Sequence, residues 1–267
     1  MSNKVLYIAQ EITPYLPANP ISTLGHKLPQ AAQENGYEVR IFMPKYACIN
    51  ERRNQLHEVI RLSGMNVVID DTDHPLIIKV ATLQPSRLQV YFIDSDDYFI
   101  RKSINDLEIN MYPDENDERM MFFAFGVIET VKKLRWEPSI IHCEGWISAI
   151  APLYLKTLYA DDPMYGDVKI VYSLFNDEFE GILDTRFVDK LREVGIPEEV
   201  LDKLKEVDYI TLNKLAIDYA DVVTITSKDI NQELIQYAQA QGKEVIDCSE
   251  CPDSYDPYIS IYDSLIK

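Results

Sequence analysis

The sequence predicts an α/β fold, a doubly wound and mostly parallel sheet of Rossmann-like type with a β-hairpin region inserted in it. Three observations carry this reading. Short apolar runs alternate with longer amphipathic stretches, the pattern of strands covered by helices on both faces. The first run, Lys4-Val5-Leu6-Tyr7-Ile8-Ala9, is apolar almost throughout, as a strand buried on both faces must be. Between residues 65 and 93 the alternation gives way to three closely spaced strand-like runs, which reads as antiparallel hairpins inserted in the sheet or added to its edge.

In order, residues 4–9 form the first strand and residues 24–35 the helix that returns from it. Gly36 leads into a second strand at 37–43. Strand runs follow at 65–69, 76–83 and 89–93, separated by turns at 70–75 and 85–87. Residues 116–134 carry an apolar stripe at helical spacing and open with acidic residues that suit the positive end of a helix. The alternation then resumes with strand 139–143, helix 148–159, strand 169–173, a charged helical stretch at 184–215 and strand 222–226. Ser227 is placed to cap a last helix at 228–240. Beyond Gly242 the chain carries Pro252, Pro257 and several aspartates, and no clear element. The simplest organisation is one domain over residues 1–245 with a loosely structured tail over 246–267.

Composition narrows the function classes. With 26 Lys and Arg against 44 Asp and Glu, the formal net charge is −18. Nucleic-acid binding over a broad surface needs clustered cations to displace counterions, and anionic membranes need them too. Both partner classes are disfavoured. An apolar fraction of 46% is ample for a packed core. The N-terminus runs straight into a strand with no signal-peptide core, and no apolar run approaches the roughly 20 residues that span a bilayer. Cys48, Cys143, Cys248 and Cys251 are scattered except for the last pair, which fits a reduced cytoplasmic protein.

The loop after the first strand is unusual for a nucleotide-binding α/β domain. Glycines there normally let the backbone approach phosphates at the helix N-terminus. Between Gln10 and Thr23 there is no glycine, and Pro14, Pro17 and Pro20 stand there instead.

Several stretches, taken in order, resemble the N-terminal half of bacterial glycogen synthases and plant starch synthases, retaining glucosyltransferases of the GT-B fold. They are residues 5–14, Leu28-Pro29, 36–40 with 43–46, 92–94 with Tyr98-Phe99, and Tyr112 with 116–119 and Phe122-Phe123. Residues 140–143 with 151–157 are the most specific stretch, and Asn176 with 179–181 and then 219–227 complete the set. The resemblance implies a single half of a GT-B glycosyltransferase, with residues 246–267 similar to the family's interdomain linker. The family's second domain, which holds most of the donor nucleotide and a catalytic carboxylate, has no counterpart in these residues.

The functional motifs depart from the family. Its Lys-x-Gly-Gly-Leu signature aligns with Pro17-Ala18-Asn19-Pro20-Ile21, its His-x-His-Asp-Trp-His run with His142-Cys143-Glu144-Gly145-Trp146-Ile147, and its Thr-Ile-His-Asn with Ser173-Leu174-Phe175-Asn176. The expectation is a glycogen/starch synthase-like pseudoenzyme that lacks autonomous ADP- or UDP-glucose transfer, needs no cofactor, and binds an α-glucan or a partner protein. A homo-oligomer burying the face of the missing domain is a further option. The alternative is a half-enzyme whose donor-binding domain comes from another chain, giving retaining α-1,4-glucosyl transfer to glycogen.

Catalytic residues are unassigned. The substrate-binding candidates are His142, Glu144, Trp146 and Asn176. His142, at a strand end, reads either as a sugar-hydroxyl contact or as a histidine bonded within the sheet edge. Glu144 reads as a hydroxyl ligand, the partner of a base or a solvated loop acid, and Trp146 as a stacking platform or a buried aromatic at a helix start. Asp94-Ser95-Asp96-Asp97 looks superficially like an Asp-x-Asp metal motif but reads as a strand-end turn. Cys248-x-x-Cys251 offers two ligands where a structural zinc wants four, so no metal is assigned.

Overall fold

The computed structural model describes residues 3–99, 113–249 and 254–266. Its strands are β1 (Lys4–Ala9), β2 (Glu38–Pro44), β3 (His57–Glu58), β4 (Met65–Ile69), β5 (Thr72–Leu83), β6 (Leu88–Asp94), β7 (Ile140–Glu144), β8 (Lys169–Leu174), β9 (Val222–Ile225) and β10 (Glu244–Asp247). Nine of them run in the order β10-β9-β8-β7-β1-β2-β6-β5-β3, and β4 pairs only with β5. The pairs from β10 through to β6 are parallel, whereas β5 is antiparallel to β6, β3 and β4. The hairpin insertion is therefore present, at one margin of a parallel sheet. Asp70 and Asp71 turn β4 into β5 with φ of +50° and +57°, the backbone that a two-residue hairpin loop demands.

The helices are α1 (Pro20–Glu34), α2 (Pro113–Leu134), α3 (Ala151–Lys156), α4 (Phe187–Glu193), α5 (Glu198–Leu201), α6 (Tyr209–Tyr219), α7 (Gln232–Ala240) and α8 (Asp256–Leu265). Four sequence expectations need correction. The segment 148–159 is a 3-10 turn at Trp146–Ser148 followed by the short α3. The stretch 184–215 is not one helix but α4, α5 and the start of α6, because Gly195 at φ +96° and Pro197 break the first and Asp208 caps the last. Ser227 caps nothing; Asn231 accepts from the Glu233 N–H and starts α7 instead. The stretch after Gly242 forms β10 and α8, and α8 buries Tyr258, Ile259, Ile261 and Tyr262 in the common core.

Two features of this topology position a site. The chain leaves β1 toward β2, then crosses back through α2 to lay β7 on the other side of β1. The strand order reverses between β1 and β7, and open α/β sheets bind ligands beyond the carboxyl ends of the strands at such a reversal. Beneath α8, the sheet face is polar rather than aliphatic: Tyr7 of β1, His142 of β7, Ser173 of β8 and Thr224 of β9 lie side by side and buried.

Candidate functional site

At the strand reversal, Gln10 follows β1 and Gly145 follows β7. The Gln10 N–H donates to the Glu144 carbonyl at 3.1 Å, tying the two ends together. Gly145 has φ +80°, and a Cβ there would lie 2.5 Å from Gln10 Oε1, so only glycine fits. Gln10 Oε1 accepts from the Ile147 N–H at 3.3 Å, and its side chain also bonds the carboxylates of Glu11 and Asp177.

The loop from Glu11 to Asn19 ends in a capping box. Asn19 Oδ1 accepts from the Ser22 N–H at 2.8 Å, and Ser22 Oγ accepts from the Asn19 N–H at 3.0 Å. Pro20 contributes no N–H, and the Thr23 N–H is spent on the Asn19 carbonyl. Asn19 Nδ2 donates to Glu11 Oε2. At the N-terminus of α1, which would face a phosphate in a glycine-rich loop, the Ser22 and Thr23 N–H groups are taken from within and Pro20 has none. That leaves only Ile21 of the first four positions, and the cap residue faces a carboxyl.

Asp177, in the loop after β8, is buried. It accepts from the Trp146 N–H at 3.0 Å and the Tyr209 hydroxyl at 2.6 Å. Burial raises the carboxyls of both Asp177 and Glu11, and the two repel each other. Together with Asn176, Phe175, Thr226 and Ser227 they line a recess of about 220 Å³. A wider pocket of about 520 Å³ shares Asn19, Phe175 and Thr226 with it and runs on toward Lys228, Cys248 and Tyr258.

The sequence candidates fall in different places. Asn176 is exposed and lines the recess. Trp146 is buried, edge-on to Phe179 with ring centroids 5.2 Å apart, so it offers no stacking face. His142 is fully buried beneath α8, with Nδ1 hydrogen-bonded to the Tyr262 hydroxyl at 2.5 Å and Nε2 to Ser173 Oγ at 2.6 Å. Burial lowers its pKa to about 3, so the ring is neutral, and neither nitrogen is available to a sugar. Glu144 is neither a solvated acid nor a cleft ligand. Its carboxyl is buried, bonds nothing, and faces α1 at Gly25, where a Cβ would come within 3.2 Å of Glu144 Oε2. Desolvation raises its pKa to about 8, which leaves it protonated at neutral pH.

Gln10, Glu11, Asn19 and Asp177 were not among the sequence candidates. Asn19 and Ser22 carry the legible signal, a capping residue three positions ahead of a hydroxyl at a helix start. Asp94 is held by Lys79 at 2.6 Å and Asp97 by His74 at 2.7 Å, as a strand-end turn requires. Among the described residues no cluster of His, Cys, Asp and Glu could hold a metal, and no helix is long and apolar enough to cross a membrane. Cys248 is buried, and Cys251 lies outside the described residues.

The family model for the starch synthase catalytic domain matches residues 4–246. Glycogen synthase of Pelodictyon phaeoclathratiforme is 36% identical over 234 residues, which is 87% of this chain and 47% of that protein. Glycogen synthase of Chlorobium limicola is 37% identical over the same shares. The chain spans about half the length of the curated relatives it matches. Among solved structures, the catalytic domain of starch synthase IV from Arabidopsis thaliana, bound to ADP and acarbose, superposes with a TM-score of 0.72 over 93% of this chain and 52% of that one. Sequence identity there is 20%, so the likeness shows the GT-B-type fold alone.

Proposed function

Since the chain belongs to the starch synthase catalytic domain family, we propose that it is a glycogen/starch synthase-like domain that does not transfer glucose from ADP- or UDP-glucose unaided and serves as an α-glucan-binding module, with a partner protein as the other occupant of the same cleft. The observation that carries this reading is the N-terminus of α1. A donor diphosphate needs free N–H groups and a cation there. Here Asn19 and Ser22 close the cap, Pro20 has no N–H, and Glu11 sets a carboxyl where a cation is needed. The amide of Asn176 and the hydroxyl of Thr226 beside Phe175 suit the neutral hydroxyls and apolar ring faces of a glucan.

Thermal denaturation of the chain with maltooligosaccharides, ADP and ADP-glucose tests this, since a ligand that binds only the native state raises the midpoint. The reading expects a rise with maltooligosaccharide and none with ADP or ADP-glucose, together with no glucosyl incorporation into glycogen. Incorporation by the purified chain, or a midpoint raised by ADP-glucose, overturns it. The half-length match to glycogen synthases favours one second reading, in which another polypeptide supplies the donor-binding half and the pair carries out α-1,4-glucosyl transfer. Co-purification from a native extract of a chain carrying that half, with glucosyl transfer by the pair alone, supports the second reading over the first.

A further inference from the structure

The wider pocket has two walls of different build. One is the first turn of α1, with Thr23 and Leu24, held by the capping box of Asn19 and Ser22. The other is the start of α8, with Ser254, Tyr255 and Tyr258. This second wall is fixed from deeper in the fold. The Tyr258 hydroxyl is hydrogen-bonded to Thr224 and Cys248, and its ring lies 5.8 Å from that of His142, centroid to centroid. One turn further on, the Tyr262 hydroxyl meets Tyr7 at 3.0 Å and His142 at 2.5 Å. The Tyr37 hydroxyl donates to Asp263 at 2.5 Å. Tyr258 belongs to both sets, since it lines the pocket and rests on the ring that Tyr262 bonds. Groups that never touch the pocket therefore place one of its walls.

What lies beneath α8 also makes the helix separable from the sheet. Ile259 and Ile261 supply an apolar share, but Tyr7, His142, Ser173 and Thr224 present polar groups that water can bond once the helix lifts. Lifting trades protein hydrogen bonds for water bonds and exposes less apolar surface than an aliphatic seam would. Openings of single elements such as this lie well below global unfolding in free energy. We propose that α8 is a ligand-coupled wall: an α-glucan in the pocket binds only the docked helix, through Tyr258, so filling of the pocket and docking of α8 form one equilibrium that Tyr262 governs from outside the pocket. The inference deepens the reading that this cleft takes a glucan, and it rests on that reading. A ligand confined to the docked form draws the helix down, and by reciprocity whatever loosens the helix weakens the ligand.

Amide hydrogen exchange of the whole chain with and without maltooligosaccharide tests it, with calorimetry on the same samples to report binding. At a sugar concentration of about a hundred times Kd, the amides of 259–265 are expected to exchange about a hundredfold more slowly, the shift that binding to one form alone produces. Those of β4 and β5, at the far margin of the sheet, are expected not to change. Tyr262→Phe keeps the ring and lies outside the pocket lining. It is expected to speed exchange in α8 by about fivefold or more, the effect of one lost buried hydrogen bond, and the sugar is expected to slow it again. Sugar binding that leaves 259–265 unprotected overturns this inference alone. Equal slowing in α8 and the hairpin also overturns it, because the helix then opens only with the whole fold. An unchanged rate in Tyr262→Phe overturns the governing role of that hydroxyl. No binding of maltooligosaccharide overturns the functional reading beneath the inference.

Discussion

Glu144 makes the sharpest quantitative prediction. Its carboxyl is fully buried between β7 and α1 with no hydrogen-bond partner, and desolvation lifts its pKa from 4.5 to about 8. The folded state therefore keeps a proton that the unfolded chain releases above about pH 4.5. Stability is full below that pH and is lost as pH rises toward 8. The gap, at about 1.4 kcal/mol per pH unit, amounts to roughly 5 kcal/mol. His142 acts with the opposite sign in a lower window. Its folded pKa of about 3 lies below the ordinary 6.5, so its contribution grows between those values and is complete above 6.5. The two slopes cancel between pH 4.5 and 6.5, and Glu144 alone removes roughly 2 kcal/mol from 6.5 to 8. The assay is urea unfolding followed by tryptophan fluorescence at half-unit steps of pH. Glu144→Gln is expected to flatten the fall above pH 6.5. Its stability minus that of the unmodified chain is expected to climb by several kcal/mol between pH 5 and 8. A difference curve flat over that range would refute the reasoning, because Glu144 would then be solvated or partnered.

Three further outcomes are expected. Tyr262→Phe removes the hydroxyl that meets both Tyr7 at 3.0 Å and His142 at 2.5 Å, and leaving buried polar groups unpaired is expected to cost about 1–3 kcal/mol in the urea midpoint. Gly145→Ala places a Cβ against Gln10 in a backbone conformation with φ +80°, and is expected to destabilise by more than 1 kcal/mol, since an L-residue is strained there. Lys190→Met strands Asp117, which Lys190 holds at 2.7 Å in the buried seam between α4 and α2. About 3–5 kcal/mol is expected to be lost while Asp117 stays ionised, with part regained as the pH falls; the regain begins above the value of about 6 that Asp117 has beside Lys190, because the contacts that lower its pKa are gone.

The parallel strands were legible because each is an apolar run flanked by turn residues. The hairpins at 65–93 were legible from their spacing. The tail was not. Tyr255, Tyr258 and Tyr262 sit among aspartates and prolines, and nothing local says that two of these rings are buried by packing on a sheet more than a hundred residues away. The same distance hid the character of His142 and Glu144. Each lies near a strand end, where a solvated turn is the local expectation, and each is buried by helices from the two ends of the chain. Asn176 entered through the resemblance of Ser173-Leu174-Phe175-Asn176 to a family motif and lines the recess, whereas Glu11 and Asp177 became a pair only once β1 and β8 were set in one sheet.

The hydroxyls and imidazole beneath α8 also govern where that helix comes to rest. A helix held by aliphatic contacts alone slides along its axis with little change in buried area, since one leucine replaces another against the same surface. Directional bonds do not average in this way. Tyr262 reaches both Tyr7 and His142, and Tyr37 reaches Asp263, at one axial position and one rotation only. A shift of one turn, about 5.4 Å, breaks these bonds together and leaves polar atoms buried and bare. The polar seam gives the C-terminal helix a single seat.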